Sequence, residues 1–269
     1  MRKIVITTVW ALLLAGIGSL FVFANKKQGT ETCRSLNVMI EYNGADPLID
    51  ESYLIKLITK EGIRIKGQPL KSIPAIAIEE LLNNDPYISK SSVRIGVDGI
   101  VNIFAKQRIP LVKIVSDNGK TFYLDMEGAV MPLNPGFPAR VMVATGHIKA
   151  HVPAKEKVPD RMNTEPMGLL STDLQKVYVT ARALNADAFT RALSEQLYIN
   201  SHGEAEIIPK IGEQIILLGD TTRLAEKIEN LNIFYKRGMQ ADNWSDYHSI
   251  SLKYRDQVIC TKTTKNGSI

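Results

Sequence analysis

The chain has 269 residues and a formal net charge of +5, from 33 lysines and arginines against 28 aspartates and glutamates. This charge is too small to indicate a nucleic-acid-binding protein, and no basic run stands beside aromatic residues as a single-strand groove requires. The chain after Ala24 is long enough for two small domains, each with its own core. Cys33 and Cys260 do not make a disulfide framework, although a bridge between them is chemically allowed outside the cytoplasm.

Residues 4–24 are an uncharged apolar stretch that predicts a transmembrane helix. At about 1.5 Å per residue this helix would be roughly 31 Å long, which matches the hydrocarbon core of a bilayer. A cleaved signal peptide is the alternative, because Arg2 and Lys3 precede the stretch and Val22-Phe23-Ala24 resembles a cleavage site. The stretch is longer than an ordinary signal-peptide core, which favours a retained anchor. Both outcomes export the rest of the chain.

The flanks of this stretch predict a single-pass topology. Residues 1–3 form a stub too short for a cytoplasmic domain, and basic residues on both sides favour a cytoplasmic N-terminus only slightly. No later segment is apolar enough to cross again. The polar residues 25–35 are expected to form a juxtamembrane linker, with everything after them outside the membrane.

The next segment predicts a small β-α-α-β-β domain. Residues 36–42 alternate as a strand, and Asp50 is placed to cap a helix that Gly62 ends. A second helix is expected to bury one face, and two strands then follow around the tight-turn pair Asp98-Gly99. The face of the second helix is predicted to comprise Ile76, Ile78, Leu81 and Leu82, and the strands residues 87–97 and 100–108. Three strands covered by two helices suffice for an independent core.

Two motifs in this segment carry a family resemblance. Asn84-Asp85-Pro86-Tyr87-Ile88 opens one strand and Gln107-Arg108-Ile109-Pro110 follows the other. In this order they resemble a POTRA domain, specifically that of the FtsQ/DivIB family of bacterial cell-division proteins. The resemblance implies a POTRA domain at residues 36–109.

Gln107, Arg108 and Pro110 are predicted to form the hinge between domains. Pro110 cannot donate to a strand ladder, so it is expected to end the strand and stiffen the turn. Arg108 is either a surface charge or one member of an interdomain ion pair.

The remainder, residues 110–262, predicts a mixed β domain with flanking helices, followed by a polar tail at 263–269. The motif Phe122-Tyr123-Leu124-Asp125-Met126-Glu127-Gly128 resembles the hairpin that follows the Gln-Arg-x-Pro motif in the family. The stretches GEQIILLGD and SLKYRDQVICTK continue the family order. Helices are expected at 172–184, 188–196 and 224–239, with Thr172 and Gln175 as a capping box. Strands are expected at 112–115, 121–124, 129–132, 197–200, 205–209, 214–218 and 247–262.

No set of residues predicts catalysis, a cofactor or a metal site. His147 and His151 have the four-residue spacing of a helical zinc pair, but Pro153 follows and no third ligand is evident. Asp125 and Glu127 could form a carboxylate pair, yet beside Gly128 they are turn formers first. A secreted hydrolase with metal at the histidines is therefore a minor alternative, and the protein is expected not to be an enzyme.

Unpaired strand edges are the expected working surface. The resemblance implies that the last strand receives a strand from a coiled-coil partner, FtsB (DivIC), which is itself paired with FtsL. It places partner-binding residues at Lys253, Tyr254, Arg255, Val258 and Ile259. An ordinary capping strand is the alternative, and the polar tail departs from the commoner aromatic finish of the family.

The resemblance therefore implies a non-enzymatic divisome scaffold of the cell inner membrane, located at the division septum. It would bind FtsB/DivIC-like and FtsL-like proteins, meet other divisome members through the POTRA domain, and help control septal peptidoglycan synthesis. A POTRA-type chaperone or translocation accessory of the envelope is the alternative.

Overall fold

The computed structural model describes residues 10, 13–17, 19, 31–150, 172–238 and 246–263. Within these ranges every helix is too short or too polar to span a bilayer. Most of the predicted anchor at 4–24 lies outside the described residues, as do the stub at 1–3 and residues 151–171. The chain divides into two compact units, one of residues up to Glu41 with Ile49–Gln107, the other of Tyr42–Leu48 with Arg108 onward.

The first unit has the predicted β-α-α-β-β order. Its three-stranded sheet has the order β1-β3-β2, with β1 parallel and β2 antiparallel to the central β3. The elements are β1 (Ser35–Glu41), α1 (Glu51–Lys60), a 3₁₀ turn (Leu70–Ser72), α2 (Ala75–Asn83), β2 (Ile88–Ile95) and β3 (Ile100–Gln107).

Both helices follow their sequence signals, with one error in the predicted face. The carboxylate of Asp50 accepts from Tyr53 N at 2.7 Å and so caps α1. In α2, Ile78 and Leu82 are buried one turn apart, whereas Ile76 is 73% exposed. The prediction that Ile76 belongs to the buried face was wrong, because a residue two positions from Ile78 points about 200° around the helix.

Residues at the end of the predicted linker belong to the fold. Cys33 is buried, and its N–H donates to Gln68 O at 2.8 Å. Thr32 forms an isolated bridge with Pro69. Strand β2 is shorter than predicted: it ends at Ile95, and Val97 lies beyond it with 78% of its surface exposed.

The second unit is built on a nine-stranded sheet of order β12-β11-β10-β9-β8-β7-β4-β5-β6. Its strands are β4 (Pro110–Val115), β5 (Thr121–Asp125), β6 (Val130–Met131), β7 (Met142–Gly146), β8 (Ser194–Ile199), β9 (Ala205–Pro209), β10 (Ile215–Gly219), β11 (Tyr247–Ser251) and β12 (Ile259–Lys262). Its helices are α3 (Thr172–Ala186), α4 (Ala188–Leu193) and α5 (Leu224–Ile233), and a π-helical turn follows at Phe234–Gly238. Together the units give a mixed α+β protein.

Helices and sheet share one core in this unit. Val177, Ala181 and Leu184 of α3 are buried, as predicted, against apolar side chains of the strands. The strand residues in this cluster include Val112, Ile114, Leu197, Ile207, Ile216 and Ile250. This core fixes the sheet, and therefore also the positions of its two edges.

Several predicted boundaries differ from the structure. Pro110 does not end β3 but is the first residue of β4, where a proline needs no ladder donor. The helix expected to reach Gln196 ends at Leu193, because Ser194 already begins β8. Thr172 is the first helical residue rather than the cap. The single strand predicted at 247–262 is two strands, β11 and β12.

Candidate partner-binding edge

Strand β12 is one edge of the nine-stranded sheet. It pairs antiparallel with β11, in a register that includes Ile250 opposite Cys260 and Ser251 opposite Ile259. Strand β11 is also paired, in parallel, with β10. The first half of the predicted terminal strand is therefore covered on both sides by its own chain. Only the second half forms an edge.

The hydrogen bonds of β11 show which backbone groups of β12 face outward. Leu252 N donates to Leu217 O on β10 at 2.9 Å, so Ser249 and Ser251, which have the opposite parity, direct their backbone groups toward β12. On β12, Thr263 N donates inward to Asp246 O at 2.9 Å. Because backbone direction alternates along a strand, the N–H and C=O groups of Cys260 and Lys262 point away from the sheet.

The predicted residues Lys253, Tyr254 and Arg255 lie in the loop between β11 and β12, not in a strand. The ammonium of Lys253 pairs with the carboxylate of Glu204 in the β8–β9 turn. Arg223 also donates to Lys253 O at 3.2 Å. Hydrogen bonding to Lys253 lowers the pKa of Glu204. Lys253 thus ties the loop to the rest of the sheet.

Tyr254 and Arg255 are exposed, in contrast to Lys253. Tyr254 is 51% exposed and makes no hydrogen bond, ion pair or ring contact within the described part of the chain. Asp256, which follows, turns the loop with a left-handed backbone at φ 57°. The loop therefore presents an aromatic ring and a guanidinium to solvent beside the edge strand.

A groove of about 320 Å³ lies between this loop and the end of α5. Its apolar wall includes Ile233, Phe234 and the predicted residue Val258, and its charged rim includes Arg237 and Asp256. The ring of Phe234 packs edge-to-face on Tyr247 of β11, with centroids 6.0 Å apart. Lining residues also include Asn230 and Gln257. The groove adjoins β12 through Val258, which directly precedes Ile259.

The predicted hinge residues fall at the boundary of the two units. Gln107 is buried at the end of the first unit, where its side-chain oxygen accepts from Ile49 N at 3.3 Å. Arg108 begins the second unit and pairs with Asp125 of the same unit at 2.8 Å. The alternatives of a surface charge and an interdomain ion pair are both replaced by an ion pair within the second unit.

Asp125 organises the turn that the sequence motif predicted. Its fully buried carboxylate accepts from Glu127 N at 3.0 Å and from Ala129 N at 2.6 Å, besides Arg108. Gly128 closes the turn with φ 83°. Burial and the nearby charge of Asp125 raise the pKa of Glu127. The carboxylate of Asp125 therefore shapes a turn, as predicted.

The remaining candidate sites gain no support from the described residues. No group of three or more histidine, cysteine or acidic residues within them could hold a metal ion. His151, one of the two predicted zinc ligands, lies outside the described residues. Cys33 and Cys260 are free thiols, so the disulfide left open by the sequence is not formed.

The groove wall from α5 is the part of the site that sequence reasoning missed. The sequence predicts one continuous helix at 224–239 that includes Phe234 and Arg237, but the π-helical turn at Phe234–Gly238 rotates these residues away from that helical phase. Ile233, 45% exposed at the end of α5, is the one available signal, because it breaks the apolar face of Leu224, Ile228 and Leu231.

A small β-α-α-β-β domain followed by a large sheet with an open edge defines a two-domain POTRA protein. A family model for a POTRA-like domain matches residues 31–106, and one for "FtsQ/DivIB, C-terminal related" matches residues 109–261. The chain belongs to the FtsQ/DivIB family. Among curated proteins, none matches it. Membership indicates a role in cell division at the septum with divisome partners, in a family of generally non-catalytic scaffolds.

Proposed function

We propose that this protein is a non-enzymatic divisome scaffold that binds an FtsB/DivIC-like protein, together with its FtsL-like partner, by strand addition to β12. It helps control septal peptidoglycan synthesis, and its POTRA domain meets other divisome members. Residues 4–24 anchor it in the cell inner membrane, with the N-terminus cytoplasmic. The single observation that carries the proposal is the open edge of β12.

Backbone pairing alone does not give useful affinity at so short an edge. Cys260 and Lys262 offer two outward N–H groups and two outward C=O groups. At about 0.5–1.5 kcal/mol net for each hydrogen bond, they contribute about 2–6 kcal/mol. Micromolar affinity requires about 8 kcal/mol, after the cost of association. Side chains beside the edge must therefore add to the binding.

The loop and the groove supply those side chains in this proposal. Tyr254 and Arg255 contact the partner directly, since both are exposed beside β12. Ile259, 43% exposed on the edge strand, packs on an apolar residue of the added strand. Val258 and the groove accept a further apolar side chain. Lys253 acts as a positioning residue, because its ammonium is already paired with Glu204.

Anchoring raises the effective concentration of these parts. A scaffold and a partner held in one membrane patch meet far more often than the same proteins in solution. Modest pairwise affinity at β12 is therefore sufficient for assembly at the septum.

A substitution at Lys262 tests strand addition directly. Lys262→Pro removes the outward N–H, whereas Lys262→Ala removes the same side chain and keeps the N–H. In a pulldown of the full chain with the FtsB-like partner, we expect Lys262→Pro to weaken binding at least tenfold and Lys262→Ala by less than about twofold. Equal binding by the two variants, with unchanged circular dichroism, would rule out pairing at this edge.

A further inference from the structure

We propose that the POTRA unit has a built-in contact surface for anionic phospholipid headgroups, at the end of its sheet where the chain enters from residues 4–24. The inference rests on the proposed membrane anchor and is independent of the partner site at β12. We refer to this surface as the anchor-proximal end. It comprises residues 31–34 and 60–71 with the β2–β3 hairpin tip, residues 94–99.

The entering chain and the 61–70 loop are held together by backbone hydrogen bonds. Cys33 N donates to Gln68 O at 2.8 Å, and Gly67 N donates to Cys33 O at 2.9 Å. Leu70 N donates to Glu31 O at 2.9 Å. Six residues, 25–30, separate Glu31 from the predicted anchor. Because an extended chain reaches at most about 3.5 Å per residue, this loop is tethered within about 25 Å of the anchor's end.

Exposed basic side chains concentrate at this end. Lys60, Arg64, Lys66 and Lys71 are all exposed, and none forms an ion pair with another described residue. Glu61 is the acidic residue among them. The neighbouring segments add Arg34 and Arg94 against Glu31 and Asp98, so the anchor-proximal end carries six basic and three acidic residues.

The opposite end of the same sheet has the reverse charge. Strands β1 and β3 run in parallel from Ser35 opposite Ile100 to Glu41 opposite Lys106, so the ends lie about 20 Å apart. That separation is about two Debye lengths at physiological salt, so the ends act independently. The surface of the far end carries Glu41, Asp50, Glu51, Lys90 and Lys106, which is three acidic residues against two basic ones.

The separation of basic and acidic residues to opposite ends of the sheet fits contact with an anionic membrane surface better than a role in solubility alone. Uniformly mixed charge would serve solubility equally well, but here the positive end is the one tethered beside the bilayer. Each lysine or arginine near an anionic bilayer contributes about 1 kcal/mol, and the contribution decays within a Debye length. The contact would hold the unit against the membrane without apolar insertion, since the basic side chains supply it.

Hydrogen exchange of the full chain in lipid nanodiscs tests the contact. We compare nanodiscs of phosphatidylcholine alone with nanodiscs containing phosphatidylglycerol. We expect amides of residues 60–71 to exchange at least threefold more slowly with phosphatidylglycerol. This protection should disappear in 1 M salt, where the Debye length falls to about 3 Å. Residues 88–93, which lie outside this surface, serve as the internal reference.

Paired charge reversals give matched controls. Arg64→Glu with Lys66→Glu should abolish the lipid-dependent protection, whereas Lys90→Glu with Lys106→Glu, at the far end, should leave it intact. Equal exchange in both lipids, or protection that survives Arg64→Glu with Lys66→Glu, would overturn the proposal. Protection that appears only when the FtsB-like partner is added would also overturn it, in favour of an acidic protein surface.

These experiments can refute the headgroup contact and the partner site at β12 independently of each other. A full chain that does not enter nanodiscs of either lipid would refute the anchor, and the headgroup contact with it. Lys262→Pro tests the partner edge alone and has no bearing on the exchange of residues 60–71.

Discussion

The guanidinium of Arg108 donates to the carboxylate of Asp125 at 2.8 Å, which joins two of the sequence motifs that carry the family resemblance. The pair lies where β4 begins, with Pro110 directly opposite Asp125 in the ladder. Met126 N also donates to Ile109 O at 2.9 Å, so backbone and side chains fix the same junction. The motifs are therefore structural, and they set the position from which the nine-stranded sheet starts.

Removing this carboxylate should destabilise the second unit. Asp125→Ala leaves Arg108 and the N–H groups of Glu127 and Ala129 without their acceptor, and we expect a loss of about 2–4 kcal/mol. Urea unfolding of the full chain in detergent, followed by circular dichroism, measures it. Glu127→Gln is the matched control: it should be neutral or slightly stabilising, because burial, and then the charge of Asp125, disfavour the charged form of Glu127. A loss below about 1 kcal/mol for Asp125→Ala would contradict this role.

Acid should reduce the stability that Asp220 contributes in the turn between β10 and α5. Hydrogen bonds from Lys227 and Thr222 lower the pKa of Asp220 from 3.8 to about 2. A lowered folded-state pKa stabilises the protein above pH 3.8, and the contribution is lost as pH falls through about 2. Because Asp220 is 66% exposed, solvent screening reduces this to about 0.5–1 kcal/mol.

Asp220→Asn isolates that contribution. It should destabilise the protein at pH 7 and have little effect near pH 2, as measured by urea midpoints at both values. Glu213→Gln removes an exposed carboxylate of the same unit and is the matched control, with little expected change in the urea midpoint. An Asp220→Asn effect of the same size at both pH values would mean that charge is not its source.

A charge swap between Lys253 and Glu204 tests whether Lys253 positions the loop or contacts the partner directly. Lys253→Glu places two carboxylates together at Glu204, which should displace the loop and weaken partner binding several-fold. Combining it with Glu204→Lys restores the opposite charges and should recover most of the binding. Tyr254→Glu should weaken binding at least as much without changing stability, since the ring is exposed. Failure of the swap, with the fold intact, would instead make Lys253 a direct contact.

The outer edge of β2 in the POTRA unit is closed by its own helix. Ser91 N donates to the side-chain oxygen of Asn83 at 2.7 Å, and Val93 N donates to the carboxylate of Glu79 at 2.5 Å. Such caps remove the donors that another strand would use. Glu79→Leu should speed exchange of the Val93 amide about tenfold, whereas Glu79→Gln, which keeps an acceptor, should change it less. Equal exchange in the two variants would show that the edge is closed by other means.

The helices and strands of the first unit were largely predictable because a cap or turn residue in the nearby sequence marks where they begin or end. Asp50 caps α1, and the Asp98-Gly99 turn, with Gly99 at φ 83°, joins β2 to β3. The β11–β12 turn was missed because residues 252–258 contain no glycine or proline, and its left-handed position is filled by Asp256. The start of β8 was missed because Ser194 follows Leu193 with no breaker between them.

The candidate site was predictable only in part, because it depends on pairing between distant segments. The resemblance predicted that Val258 and Ile259 bind the partner, and the structure has Ile259 as the first residue of the edge strand β12. It could not indicate that Lys253 pairs with Glu204, which lies 49 positions away. The groove needs the π-helical turn at Phe234–Gly238, and no periodicity in the sequence marks that change of helical phase.

The parallel pairing of β10 with β11 has a consequence for biosynthesis. Parallel neighbours require a crossover, here through α5, so the final hairpin can dock only after the segment through Lys262 has been synthesised. A chain interrupted before Ile259 would expose β11 instead, with different side chains and a different register. Partner recognition at β12 would thus report that translation of the domain was completed.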